Sequence, residues 1–160
     1  MALATRRRHL IERYRRVNPH AVDGVLAALF TAGALLTVAD RVGGDDSFRH
    51  DDFIGIVLLL LQTLPIAVRN AAPLAALCVS VAAISLHIGV GYEGVPAGTF
   101  AALVILYSAA SLTNTRQALL AGFIIAVGIS IYFTADRSDP SPAQALTTGA
   151  SYAVFWGMRR

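Results

Sequence analysis

Phe53-Ile54-Gly55-Ile56-Val57-Leu58-Leu59-Leu60-Leu61-Gln62-Thr63-Leu64-Pro65-Ile66-Ala67-Val68-Arg69-Asn70 contains the most apolar run of the chain and decides how the rest is read. No charge falls between Phe53 and Val68, and the apolar residues surround every side of any helix drawn through them. Such a helix belongs in a core or a bilayer rather than on a wetted surface. Its 16 residues cover about 24 Å, a little short of the hydrocarbon thickness, so flanking residues complete a crossing. Pro65 removes one backbone donor and bends or loosens the last turn.

Working outward, the same pattern repeats. Apolar runs lie at 21–39, 71–90, 97–112, 117–134 and 143–158, separated by short polar clusters. The chain is 56% hydrophobic and only 14% charged, with a mean hydropathy of +0.61. A soluble domain carries about a quarter charged residues, so the expectation is a polytopic all-α bundle of six transmembrane helices. Pro73 starts the third run, where a missing amide hydrogen costs least. Gly89, Gly91, Glu93, Gly94 and Pro96 separate the third from the fourth. The last run is diluted by Gln144, Thr147, Thr148 and Ser151 and is the weakest of the six. Met1 to His20 is basic, but the run after it is long for a signal peptide and no cleavage site follows, so it is expected to stay.

Arginine sorts the loops. Arg6, Arg7, Arg8, Arg13, Arg15, Arg16, Arg69, Arg116, Arg159 and Arg160 make ten of the 13 basic residues, and all fall on one side of a six-span chain. The positive-inside rule makes that side the cytoplasm, with both termini there, in a plasma membrane. Residues 1–20 then form a basic cytoplasmic tail, in which Leu10, Ile11, Tyr14 and Val17 can face the inner leaflet. The arginines serve topology rather than nucleic-acid binding.

Few residues inside the runs carry chemistry. Asp23 in the first turn of the first span and Arg69 after the second fall at the same level, so they are expected to pair, with Arg116 as the competing cation. His87 sits one turn from the outer end of the third span, a depth suited to a stimulus-sensitive group. Tyr107 is expected to offer a hydroxyl inside the bundle. Gly149, Ala153 and Gly157 repeat every four residues in the last span, as Gly122, Ala126 and Ser130 do in the fifth. Such stripes permit close helix packing, first as an internal seam and second as a dimer face. Cys78 excludes an internal disulfide and reads as a small packing residue. Asp45, Asp46, His50, Asp51 and Asp52 match no metal-binding spacing and read as a solvated acidic loop. No nucleotide, metal or hydrolase motif is present, so no cofactor and no catalytic residue is expected.

The order of features resembles the amino-terminal membrane region of two-component sensor histidine kinases of the actinobacterial type. The residues that carry the likeness are Pro19 through Asp23, Leu64-Pro65-Ile66-Ala67-Val68-Arg69-Asn70-Ala71-Ala72-Pro73-Leu74-Ala75, His87 with Gly89 and Gly91, and Leu106-Tyr107-Ser108-Ala109-Ala110 leading to Arg116. Asn70 stands where that family often carries a second arginine. The resemblance implies a non-catalytic input domain in a homodimer, signalling through the last helix to a cytoplasmic kinase core that these 160 residues do not contain. A small multi-pass transporter or channel subunit, or a structural membrane scaffold, is the alternative, with vesicle flux as the discriminating observation.

Overall fold

The structure is a computed structural model and describes residues 19–40, 48–49, 52–135 and 142–158. The basic tail, most of the acidic loop and the closing arginines lie outside the described residues. The fold is all-α. Six α-helices occupy the six apolar runs: α1 (Pro19–Asp40), α2 (Phe53–Thr63), α3 (Pro73–Gly89), α4 (Pro96–Leu112), α5 (Thr115–Ala135) and α6 (Pro142–Gly157). Among the described residues there is no strand, only an isolated parallel bridge between Arg49 and Tyr92.

Proline punctuates these elements. Pro65 cannot donate to the α-helical ladder, and α2 tightens into a 3-10 turn, Leu64–Val68, with Pro65 near its start. Where the spacing changes, the Gln62 carbonyl accepts from the Ser80 hydroxyl of α3 at 2.8 Å. Pro73 and Pro96 open α3 and α4, and neither helix has a side-chain cap. Asp52 caps α2 conventionally, accepting from the amides of Ile54 and Gly55 at 3.0 Å each.

Helix α4 is the hub and touches every other helix and the 3-10 turn. Small residues make this possible: Gly98, Ala101, Ala102, Ser108, Ala109 and Ala110 are buried along it. Facing helices contribute Ala27, Ala76 and Ala121, with Ile66, Leu77, Ile105 and Leu106 filling the spaces between. Gly128 of α5 packs so closely on α3 that a Cβ there would lie 2.5 Å from Val81 Cγ1. Among the described residues, helix α6 packs only on α4 and α5.

Many other large apolar side chains point outward. Leu29, Leu36, Phe53, Phe123 and Leu146 are exposed by 63, 65, 80, 66 and 74%. Two helices, His20–Asp40 and Thr115–Thr134, are long and apolar enough to cross a membrane, while Phe53–Val68, Pro73–Gly89 and Pro96–Leu112 are apolar but shorter.

Three expectations are corrected. Tyr107 does not enter the bundle: it is 44% exposed, because α4 turns its alanine face inward and Tyr107 lies on the opposite side. The stripe on α6 is no internal seam, since a Cβ at Gly149 or Gly157 would meet nothing within 4 Å and Ala153 is exposed. Cys78 is exposed on α3 rather than packed.

Candidate functional site

Polar side chains gather at two levels of the bundle. At one end the 3-10 turn swings Arg69 toward α1. Its Nη2 lies 2.8 Å from Asp23 Oδ1, and its Nε donates to the same oxygen at 3.1 Å. Asn70 Nδ2 donates to the other oxygen, Oδ2. Asp23 is 1% exposed, so this carboxylate is stripped of water and held by three donor contacts from consecutive residues. A buried ion survives only with this degree of pairing. Arg116, the other cation considered for Asp23, is exposed at the start of α5.

At the opposite end the α1–α2 and α3–α4 connections meet. Helix α3 stops in a Schellman motif: Gly91 N–H bonds the Ile88 carbonyl at 2.9 Å and Tyr92 N–H bonds the His87 carbonyl at 3.1 Å. Gly91 has φ 99°, a conformation that a Cβ disfavours. The motif reverses the chain and sends Tyr92 inward, where it is 1% exposed. Its hydroxyl donates to the Asp52 carboxylate, and its ring lies 4.9 Å from the His87 ring. Arg49 closes the cluster with its guanidinium 5.0 Å from the Tyr92 ring centroid, a charged bond to Asp52, and a backbone bond to Gly91. The Tyr92 hydroxyl, then the Gly55 amide and Arg49, hold the Asp52 carboxyl well below the usual carboxylate range.

Beyond Tyr92 the chain dives into the bundle. Val95 is buried in extended conformation against Ala34 and Leu59. Leu59 lies seven residues past the Asp52 cap, about 10 Å along the axis. Helix α4 therefore starts inside the bundle rather than at its end. Beneath this dip lies a cavity of about 270 Å³ lined by His87, Gln62, Thr99 and Tyr132 among apolar walls. Gln62 is 2% exposed, and its amide nitrogen has no hydrogen-bond partner among the described residues. A buried donor of this kind costs about 1–3 kcal/mol. Gly98 is what admits the amide, because a Cβ there would sit 2.1 Å from Gln62 Oε1.

The structure thus brings Asp23 to Arg69, buries His87 beside the cavity, and leaves Tyr107, Arg116 and the Gly149-Ala153-Gly157 stripe outside both clusters. Sequence reasoning missed Asn70, Asp52, Tyr92 and Gln62 as members. Gln62 carried a signal, being the lone amide in the most apolar run. Asp45, Asp46, His50 and Asp51 lie outside the described residues. Among those described, no three His, Cys, Asp or Glu side chains gather in one place.

Residues 11–158 match a family described as a domain of unknown function, DUF7134. The chain belongs to that family. No curated protein and no solved structure matches it.

Proposed function

We propose that this DUF7134 chain is a multi-span input domain of the plasma membrane, non-catalytic itself, that passes a signal through α6 to a cytoplasmic kinase core following it in the complete protein. The observation that carries the reading is the role of the residues on which the kinase resemblance rests. Leu64 to Leu74 form the 3-10 turn and the α3 start that set Arg69 and Asn70 on Asp23, itself in the other quoted stretch. Two distant parts of the resemblance are thus one buried ion cluster tying α1 to the α2–α3 turn.

The distribution of side-chain size supports a six-span placement. Small residues, alanine foremost, are concentrated in the interior beside a few buried leucines and isoleucines, while many leucines and phenylalanines face out from the helices, the arrangement of bundles whose outer solvent is lipid. A soluble protein with this much contiguous apolar surface would aggregate. For the homodimer that the resemblance implies, the open face is an apolar groove of about 510 Å³ between α5 and α6, lined by Gly122, Ala126, Gly149 and Ala153.

Topology is tested with single cysteines in a Cys78→Ser background. Asp45→Cys, Glu93→Cys and Ser138→Cys should react with an impermeant maleimide on intact cells, and Asn114→Cys only after permeabilisation. Labelling of Asn114→Cys from outside overturns the six-span arrangement. The reading frame beyond Arg160 tests the signalling role: a continuation into a phosphoacceptor helix and ATP-binding domain supports it, and any other continuation overturns it.

A further inference from the structure

The cavity under the dip at Gly94 and Val95 is selective in its composition. One buried donor, Gln62 Nε2, lacks a partner among the described residues. Gly94 and Val95 carry non-helical backbone down to the cavity wall, where α4 begins at Pro96. Backbone of that kind is tolerated at bilayer depth where it is buried in protein or lines a cavity, and binding sites of broken-helix membrane proteins use it. No Asp, Glu, Arg or Lys lines the space, so no fixed charge there balances a charged guest. Phe100, 57% exposed, stands at the rim and gives the cavity a side facing the surroundings of α4.

We propose that this cavity binds a small neutral molecule, mostly apolar, that presents one hydrogen-bond-accepting oxygen to the Gln62 amide. At about 270 Å³ the space falls just below the range of ordinary ligand pockets, too small for a lipid acyl chain with its headgroup. It is also many times the roughly 30 Å³ share of one water. The Gln62 donor and the amino-terminal end of α4 both favour an acceptor. Gly98 keeps the amide in position. The proposal rests on the bilayer reading only for the route of access, not for the site.

The test uses the full chain in detergent micelles with two photoreactive probes, an octanol bearing a diazirine and the corresponding octane without the hydroxyl. Adducts are mapped by mass spectrometry. The expected result is adducts at Ile84, Ile88 or Thr99 at least five-fold more abundant with the alcohol than with the alkane. That preference should vanish in Gln62→Leu. It should also vanish in Gly98→Ala, which retains Gln62 but displaces its amide. Adducts at the outward-facing Leu29 and Phe123 should be the same for both probes and all variants. Equal labelling of the cavity by both probes, no cavity adducts, or a preference that survives both substitutions overturns the proposal. Loss of the Leu29 and Phe123 adducts alone counts against the apolar girdle and leaves the cavity result standing.

Discussion

Arg69 reaches back 46 residues to close on Asp23, Nη2 to Oδ1 at 2.8 Å, and the two are unequal partners: the Asp23 side chain is 2% exposed and that of Arg69 16%. Their substitutions should therefore differ. Arg69→Met strands a buried carboxylate on Asn70 as its one remaining side-chain donor among the described residues and should cost about 3–5 kcal/mol. Asp23→Asn leaves Arg69 able to reach outward along its stem and should cost on the order of 1–3 kcal/mol. Unfolding of the solubilised chain measures both, and equal costs would contradict the asymmetry.

At the other end the Asp52 clamp should make stability depend on acid. Its carboxyl titrates below the usual range in the folded chain, so the stabilisation is complete above the ordinary aspartate range near pH ~4 and is lost as pH falls toward the depressed folded value. Tyr92→Phe removes the largest cause of the depression. The stability gap between wild type and Tyr92→Phe should be widest at neutral pH and narrow in acid. The gap narrows only once pH falls below the variant's own folded Asp52 value. A gap that stays constant to the lowest pH at which the chain remains folded would show that the Tyr92 hydroxyl does not act through Asp52.

The contact between Gly128 and Val81 predicts a compensating pair. A methyl group at Gly128 would meet Val81 Cγ1 at 2.5 Å, and valine has little rotamer freedom in a helix. Gly128→Ala alone should destabilise by about 1–3 kcal/mol through overpacking. Adding Val81→Ala should recover most of that loss. A double-mutant cycle reads the coupling, and additive effects would mean that α3 and α5 separate freely.

The helices themselves were legible because prolines and arginines sit at their ends: Pro73, Pro96 and Arg69 mark boundaries that no apolar run can hide. The Asp23–Arg69 contact was legible too, since charges are scarce beside the apolar runs and Arg116 was the one competing cation at that level. Orientation within α4 was not. Alanine, leucine and valine surround that helix without a polar face, so nothing in its periodicity told Tyr107 outward from inward. The depth of Val95 was equally hidden. Gly94 and Pro96 announce a break in the helix, but only packing on Leu59 and Ala34 reveals how far the break descends. The α6 stripe misled for a related reason, as small residues mark where a helix can approach and not whether one does.

Helix α6, the weakest run in the sequence, is also the least anchored in the fold. Among the described residues it packs on α4 and α5 alone, and Tyr152 and Trp156 help to pin it: Tyr152 donates to the Thr99 carbonyl at 3.4 Å and Trp156 Nε1 to the Ala118 carbonyl at 2.8 Å. The second is the better bond by length, and Trp156 lies over Gly122 at ordinary contact distance. Trp156→Phe keeps most of the ring volume and deletes the donor, a loss of about 1 kcal/mol. Amide exchange in α6 should then quicken about fivefold while α3 and α4 keep their protection. Exchange that quickens uniformly would mean that α6 opens only with the whole bundle, leaving it no freedom to carry a signal of its own.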